Sequence, residues 1–394
     1  MKGGIMIYLK EKFQEKDRAS KAKLAEVFEF KNKQAAIVIN DVNYWTFGEN
    51  QDDIPSDYYG ADPSVSMNYQ IRKMIRHYES FKDDCYIGFL HPWFGTGVLA
   101  SGFGTRIVFN YKSDPAVDLS TIQTIDEVTQ LKLPDPYADG LMPRVIHAIG
   151  YYKEHCDLVV GFTDCQGPLT GALSIIGYDK FCYWVQDYPK QIHEFMEKVT
   201  EALIRWVRLE KELAGTPKDG ESYPLGVRMP DGFGGVWLSD DDAVIIGPEL
   251  YREFVVPYNS RFLKAFGGGC IHYCGNATQH IQNYCQTEGL KAINNFNLDN
   301  LAEAAKTKKA LAKKGIPYMA CDFIPSERRL ESYYRDLVEA MGAQEGLIIV
   351  PYVAPAVELE KGGYATSDRN QLTLGNRVNE IIRKQLSNTF MVQV

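Results

Sequence analysis

Short apolar runs alternate with longer amphipathic segments along most of this chain, and this alternation constrains its fold most. Eight runs occur, at AAIVIND (35–41), CYIGFLHPW (85–93), DLVVGFTD (157–164), GGVWLSD (234–240), GCIHYCG (269–275), KAINNFNL (291–298), PYMACDF (317–323) and GLIIVPYV (346–353). Uninterrupted apolar runs of this length are typical of strands buried on both faces, as in parallel sheets. The segments between them, such as 189–214 and 248–266, repeat apolar residues at three-and-four spacing, as helices with one buried face do. Eight alternations of strand and helix predict an α/β fold, the (β/α)8 TIM barrel.

Two segments fall outside this regular pattern. Residues 1–34 are highly charged and predict a solvated N-terminal helical arm, so that the barrel itself takes up residues 35–394. The long insert after the second strand, 94–144, contains glycines, PDP and a hairpin-like GTRIVFNY, which indicate a lid or an excursion at the rim. An open doubly wound sheet is the competing fold, but no G-x-G-x-x-G follows the first run, which weakens its dinucleotide-binding form.

Composition excludes several classes of protein. The 394 residues carry a net charge of −8 and no long basic run, which argues against nucleic acid as a ligand. The longest apolar stretches, such as 346–357, fall far short of the roughly 20 residues that a membrane-spanning helix needs. Residues 1–12 lack the apolar core of a secretory signal, and eight cysteines in so long a chain do not make a disulfide scaffold. We therefore expect a cytoplasmic protein with reduced cysteines.

Polar side chains end each apolar run. In a barrel, the residues that perform chemistry lie at the C-terminal ends of the strands. Polar residues also occur there as simple strand caps, but their shared placement predicts that these meet at one rim. They are Asp41, Asn43, His91, Asp164, Asp240, Asp241, Asp242, His272, Cys274, Asn294, Asn295, Asn297, Cys321, Asp322 and Tyr352. Among them we take His91, Asp164, Asp240, Asp241 and Tyr352 as the catalytic candidates for general acid or base chemistry.

The sharpest motif is CIHYCG, at 270–275. Alternate residues of a strand point to the same side, so Cys270, His272 and Cys274 share one face. Together they span roughly 13 Å, which is too far for one zinc ion, so we assign the metal to the two nearer the strand's end, His272 and Cys274. A catalytic zinc needs a third protein ligand, and Cys321 is the candidate because it ends the seventh strand. The competing interpretation is that His272 is a hydrogen-bonded lining residue and the cysteines are small buried hydrophobic groups.

Aromatic residues cluster near the predicted strand ends. Tyr44 and Trp45 follow the first run, Trp93 ends the second and Trp237 lies in the fourth. Each of them alone is compatible with ordinary packing in the core or at the rim. Together with Asn295, they predict a pocket that binds an apolar or aromatic small molecule.

Several longer segments resemble the uroporphyrinogen decarboxylase superfamily, in its methylcobalamin-dependent (corrinoid-dependent) methyltransferase branch. GPELYREFVVPYNSRFLKAFGGGCIHYCGN (247–276) is similar to the family's helix that runs into an H-x-C-G strand end. GFTDCQGPLTGALSIIG (161–177) and DYPKQIHEFMEKVTEALIRW (187–206) resemble its central stretch. The resemblance implies a (β/α)8 barrel, in agreement with the eight runs. It also implies zinc bound by the H-x-C pair, which His272 and Cys274 match.

The chain departs from the family pattern in two places. True decarboxylases of the family open with an arginine-rich segment that holds the substrate's carboxylates, but the matching stretch AAIVINDVNYWTFGEN (35–50) has no arginine. This argues against a decarboxylase, because buried anions need paired cations. The methyltransferase branch takes a further zinc ligand from a late cysteine, but VPYVAPAV (350–357) contains none. Either Cys321 or an acidic residue then completes the zinc site, or the metal has been lost.

The resemblance implies methyl transfer between a substrate and a cobalt corrinoid (cobalamin). No histidine here has the D-x-H-x-x-G context of a cobalamin-binding module, so we expect a separate corrinoid protein as partner. The missing late cysteine and the aromatic surroundings favour O-demethylation, in which a methylated small molecule, first of all an aromatic methyl ether, gives its methyl group to the partner's cobalt. The alternatives are a uroporphyrinogen decarboxylase-type decarboxylase, a methylcobalamin:thiol methyltransferase and a non-catalytic barrel that binds a corrinoid or tetrapyrrole. A homodimer is compatible with each of them.

Overall fold

The computed structural model describes most of the chain. It covers residues 6–40, 55, 57–84, 88–109, 114–119, 122–216, 227–298, 300–353 and 368–392, with the backbone alone at 368–371 and 389–392. The described strands are β1 (Ala36–Ile37), β2 (Phe89–Leu90), β3 (Arg106–Val108), β4 (Ala116–Asp118), β5 (Val159–Val160), β6 (Val236–Ser239), β7 (Gly269–Cys274), β8 (Leu290–Phe296), β9 (Tyr318–Phe323) and β10 (Leu347–Tyr352).

Eight of these strands run parallel and form a (β/α)8 barrel. One sheet has the order β1-β10-β9-β8-β7-β6, and β2 pairs with β5. A bridge between Gln166 and Ser239 joins the end of β5 to β6. At the other edge of the six-stranded sheet, the amide of Asp84, which precedes β2, donates to the carbonyl of Ile37 in β1 (2.8 Å) and so joins β1 to the segment that leads into β2. Each predicted apolar run overlaps one of the eight strands, so the predicted barrel is confirmed.

Helices follow the strands around the outside of the barrel. They are α1 (Lys10–Phe28), α2 (Pro63–Ser80), α3 (Val98–Gly102), α4 (Ile125–Gln130), α5 (Met142–His155), α6 (Pro168–Ile176), α7 (Tyr178–Asp187), α8 (Pro189–Ala214), α9 (Pro248–Phe254), α10 (Val256–Lys264), α11 (Ile281–Gln286), α12 (Leu301–Ala312), α13 (Leu330–Met341) and α14 (Asp368–Val392). Several begin with proline at a first helical position, which needs no amide hydrogen there. None of the helices in the described part of the chain is long and apolar enough to cross a membrane.

Helix α1 is not the solvated arm that its charge predicts. Its Phe13, Leu24 and Val27 are buried in the main hydrophobic core. No side chain of its own caps its first turn, and the carboxylate of Asp157 accepts hydrogen bonds from the amides of Leu9 (2.7 Å) and Lys10 (3.1 Å) instead. The charged residues therefore cover only the outer side of a helix whose other side packs against the barrel.

The insert after β2 contains the predicted hairpin. β3 and β4 pair antiparallel, with Ile107 opposite Val117. The hairpin packs closely on Gly97, where a Cβ atom would lie 2.6 Å from Cδ1 of Ile107 and 3.0 Å from Cγ2 of Val117. A larger residue at this position would require the side chains of the hairpin to shift. The hairpin thus lies against the start of α3, beside the C-terminal end of β2, which is the end where barrel enzymes carry their chemistry.

Candidate metal and substrate site

Three potential metal ligands converge where β6 and β7 end. Asp241 begins a short 3-10 turn, Asp241–Ile245, directly after β6, and His272 and Cys274 lie at the end of β7. Ser239 pairs with His272 in register, which brings the two strand ends side by side. One ligand atom from each of the three side chains lies within 4.8 Å of the other two.

The separations within this cluster match those of a tetrahedral zinc site. Nε2 of His272 lies 3.5 Å from Sγ of Cys274 and 3.4 Å from Oδ1 of Asp241. Zinc bonds of usual length at a tetrahedral angle place nitrogen and sulfur about 3.6 Å apart, and nitrogen and oxygen about 3.4 Å apart. Imidazole, thiolate and carboxylate are all zinc ligands, and three of them leave a fourth position open, as in catalytic sites. The donor set and its geometry therefore fit zinc.

A hydrogen bond fixes the ring of His272. Its Nδ1 lies 2.8 Å from Oδ1 of Asn294, the residue that pairs with it across β7 and β8. Because an amide oxygen only accepts, Nδ1 is the donor in this hydrogen bond. Metal-binding histidines commonly have such a partner on the other ring nitrogen. Nε2 thus faces Asp241 and Cys274.

Asp241 has the properties of a ligand carboxylate. Its Oδ2 accepts a hydrogen bond from Oγ of Ser239 (3.0 Å), whereas its buried Oδ1 accepts none of ordinary geometry from the described part of the chain. Burial by itself raises the pKa of Asp241, but His272, Cys274 and Ser239 more than offset this, so its pKa lies below the usual value. The group is therefore ionised at neutral pH. It is the acidic residue, and not Cys321, that the structure brings to the H-x-C pair.

Cys321 and Cys270 lie outside the cluster. Cys321 pairs with Phe296, which in turn pairs with Cys274, so Cys321 is on the same face but two strands away. Two strand spacings amount to about 10 Å, too far for a shared zinc ion. Cys270 and Cys321 are fully buried, and burial raises the pKa of both thiols. The prediction that Cys321 completes the site therefore does not fit this geometry.

Asp164 follows β5 beside the cluster. It is 8% exposed, and its Oδ2 accepts a hydrogen bond from Nε2 of Gln166 (2.7 Å). Burial raises the pKa of Asp164 to about 8, and the negative charges of Asp241 and Asp114 act in the same direction. The carboxyl group is therefore mostly protonated at neutral pH and can donate a proton to a leaving group.

Asp240, another predicted acid, is turned away from the open side of the cluster. Its carboxylate is completely buried and accepts hydrogen bonds from the hydroxyl of Tyr251 in α9 and from Nδ2 of Asn259 in α10 (3.1 Å). Burial raises the pKa of Asp240 to about 7. These contacts place its side chain in the barrel wall behind Asp241. Asp240 therefore suits a supporting role and not direct proton transfer to a substrate.

The other catalytic candidates occupy different parts of the barrel. His91 is buried, with Nδ1 3.1 Å from the carbonyl oxygen of Phe162, and burial lowers its pKa to about 4. The imidazole is therefore neutral at physiological pH.

Tyr352, at the end of β10, is fully buried against the rings of Phe296 (5.3 Å between centroids) and Phe323 (5.6 Å). It forms part of an aromatic wall.

The predicted substrate residues are divided among several places. Tyr44, Trp45 and Asp41 lie outside the described residues. Nε1 of Trp93 donates to Oδ1 of Asp114 (3.2 Å) in the insert. Trp237 stacks on Phe162 inside the barrel and pairs with Cys270, two residues before His272 along β7.

Asn295 points away from the cluster. Its Nδ2 donates to the carbonyl of Gly275 (2.8 Å), and its Oδ1 accepts from the hydroxyl of Tyr318 (2.6 Å).

The sequence reasoning missed several residues of this site. Asn294 is among the predicted strand-end residues but the site is assigned there to Asn295, whereas strand alternation favours Asn294, which shares the face of His272. The same argument would have found Phe296, which pairs with Cys274. No local pattern distinguishes Asp114, which reaches Trp93 and the hydroxyl of Tyr59 only through the fold of the insert.

Comparisons with known proteins agree with this architecture. The structure is an α/β barrel in which three side chains of metal-ligand type, Asp241, His272 and Cys274, lie together at the C-terminal end of the strands. Residues 51–210 match the family model of uroporphyrinogen decarboxylase (URO-D). A solved methyltransferase from Methanosarcina mazei has a similar fold, with a TM-score of 0.63 and 16% identity over 92% of this chain and 98% of that chain. No curated protein sequence matches this chain. The match over residues 51–210 agrees with the superfamily that the motifs resemble.

Proposed function

We propose that this protein is a corrinoid-dependent methyltransferase, which moves a methyl group from a methylated small molecule to the cobalt of a separate corrinoid protein. The observation that carries the proposal is the cluster of Asp241, His272 and Cys274, whose donor atoms have the identities and separations of a zinc site with an open position. Zinc bound there would act as a Lewis acid and polarise the heteroatom that carries the methyl group. The remaining tasks fall to side chains of this chain.

Asp164 is the proton donor in this proposal. Demethylation of an ether leaves an alkoxide or phenoxide, which is a poor leaving group unless its charge is neutralised. The raised pKa of Asp164, about 8, keeps the carboxyl group protonated at neutral pH, and Gln166 holds one of its oxygens. General acid catalysis of this kind typically contributes about 10²- to 10⁴-fold.

An aromatic wall supports an aromatic substrate. Phe296, Phe323 and Tyr352 end β8, β9 and β10, and their rings meet edge to face with centroids 4.8 to 5.6 Å apart. Phe296 pairs with Cys274 across the strands, so the wall begins next to the cluster. Aromatic rings favour such edge-to-face contacts. We therefore name an aromatic methyl ether as the first substrate class to test.

The acidic surroundings argue against decarboxylation of a polyanionic porphyrinogen. Asp164, Asp241 and Asp242 approach closely enough for their charges to influence one another. Within the described residues, no lysine or arginine forms an ion pair with any of the three. A substrate with several carboxylates would be repelled there unless cations accompanied it. A neutral ether meets no such barrier.

The test is spectroscopic. Zinc-loaded protein is mixed with a separate corrinoid protein in the Co(I) state and a methoxylated phenol, and the Co(I) absorption is followed. We expect its decay to methyl-Co(III) only when the barrel protein and the ether are both present. Asp241→Ala should abolish the decay, whereas Cys270→Ser, which alters a buried thiol outside the cluster, should preserve it. Decarboxylation of uroporphyrinogen, or methyl transfer that runs only toward a thiol, would contradict the proposal.

A further inference from the structure

We propose that Tyr251, Asn259 and His280 form a positioning network that fixes the backbone beneath Asp241 and so holds its carboxylate in metal-binding geometry. The inference rests on the metal site of the proposed function and concerns how this chain builds that site. None of the three side chains belongs to the ligand cluster. All three are fully buried behind it, on α9, on α10 and in the 3-10 turn Thr278–His280.

The carboxylate of Asp241 is not held firmly by its own contacts. Its side chain is 37% exposed, and among the described residues the hydroxyl of Ser239 is its one hydrogen-bond donor of ordinary geometry. An aspartate side chain is short, so the position of its carboxylate follows the backbone that carries it. The backbone of the turn Asp241–Ile245 must therefore be fixed if Oδ1 is to stay 3.4 Å from Nε2 of His272.

Asp240 fixes the start of this turn. Its amide donates to the carbonyl oxygen of His272 (2.7 Å), which ties the residue before one ligand directly to the backbone of another. Its carboxylate accepts from the hydroxyl of Tyr251 and from Nδ2 of Asn259 (3.1 Å). Asp240 thus connects both ligand segments to α9 and α10.

His280 fixes the middle of the same turn. Its Nε2 donates to the carbonyl oxygen of Ala243 (2.7 Å), and its Nδ1 accepts from Nδ2 of Asn283 (3.2 Å). The ring of Tyr251 stacks on the ring of His280, with centroids 4.2 Å apart. Tyr251 therefore contacts both supports of the turn, through its hydroxyl at Asp240 and through its ring at His280.

The test compares two tyrosines of one aromatic cluster. Tyr251→Phe keeps the stacked ring and removes the hydrogen bond to Asp240. Tyr284→Phe is the matched control, because Tyr284 is equally buried and lies edge to face with Tyr251 (5.9 Å), but its hydroxyl has no hydrogen-bond partner in the described structure. Zinc affinity is measured by competition with a chelator, and ligand geometry by the absorption bands of the Co(II)-substituted proteins.

We expect Tyr251→Phe to bind zinc about tenfold more weakly and to shift the Co(II) bands, because residues behind the ligands typically affect affinity by about 10- to 100-fold. Tyr284→Phe should match the wild type in both measurements. If Tyr251→Phe does not fold, Asn259→Ala removes the other donor to the same carboxylate oxygen and should weaken zinc binding in the same way. Unchanged zinc affinity and unchanged Co(II) bands in the variant that folds would overturn the inference.

The same experiment separates this inference from the proposed function. If the wild type binds zinc and Tyr251→Phe binds it equally well, the positioning network is wrong while the proposed function stands. If zinc binding depends on Tyr251 but no corrinoid is methylated, the network stands and the proposed function is wrong. A wild-type protein that binds no zinc would contradict both.

Discussion

Nδ1 of His272 lies 2.8 Å from Oδ1 of Asn294, and this contact turns Nε2 of the same ring toward Sγ of Cys274 and Oδ1 of Asp241. The contact follows from the register of β7 and β8, in which His272 and Asn294 are paired. The barrel thus fixes the orientation of the histidine ring before any metal binds. The adjacent Asn295 hydrogen-bonds to Gly275 and Tyr318, away from the cluster, and offers a natural control.

Asn294→Ala should weaken zinc binding by about 10- to 100-fold, because the imidazole loses the partner that orients it. Asn295→Ala should leave zinc affinity unchanged, although it loses the hydrogen bond from the hydroxyl of Tyr318 and lowers the thermal midpoint. Chelator competition and thermal unfolding measure the two effects separately. Equal zinc affinities in the two variants would contradict the orientation of His272 described above.

Asp241→Asn should release most of the bound zinc, because the amide removes the negative charge that the third ligand supplies. Cys321→Ser should retain zinc, since Cys321 lies two strands from β7 and outside the cluster. Metal content after dialysis measures both. If Cys321→Ser lost zinc and Asp241→Asn retained it, the third ligand would be Cys321 and not the carboxylate of Asp241.

The pH dependence of demethylation should report Asp164. The proton is present below its pKa of about 8 and lost above it, so the rate should fall as pH rises through this region. Bound zinc adds positive charge near Asp164, which lowers the pKa of the carboxyl group. The fall in rate therefore moves to lower pH, not to higher. The raised pKa also means that the folded state holds a proton which the unfolded state releases from about pH 4, so the free energy of unfolding should decline between about pH 4 and pH 8.

Asp164→Asn provides the comparison. It keeps the size of the side chain, removes the titrating group and should lower the demethylation rate by about 10²- to 10⁴-fold. The descending limb of the pH–rate profile should disappear, and the decline of the unfolding free energy between pH 4 and pH 8 should become shallower. An unchanged pH–rate profile in this variant would assign the proton donor to another residue.

The sequence predicts the barrel well because strands of a parallel barrel are buried on both faces. Such strands consist of uninterrupted apolar runs, which are visible in the sequence. It also predicts His272 and Cys274, since alternation along one strand needs no knowledge of the fold. What it cannot supply is the distance between strands. Cys321 lies in β9 and Asp241 follows β6, and of these two strands β6 is a neighbour of β7 whereas β9 is not.

Register is the second quantity hidden from the sequence. The adjacent asparagines at 294 and 295 are equivalent in composition, and an irregularity in pairing at Gly269 and Cys270 helps to set which of them faces His272. The aromatic wall of Phe296, Phe323 and Tyr352 has the same origin. Its members come from three strands and meet only because the strand ends are level at the rim.

Zinc K-edge X-ray absorption on the zinc-loaded wild-type protein tests the central claim most directly. A site built from Asp241, His272 and Cys274 has one sulfur ligand at about 2.3 Å, with the remaining positions filled by nitrogen and oxygen at about 2.0–2.2 Å. We therefore predict a first shell with a single sulfur, which disappears in Cys274→Ser and is unaffected in Cys321→Ser. Two sulfur ligands in the wild type, or a sulfur ligand lost in Cys321→Ser, would contradict the site and the chemistry that we derive from it.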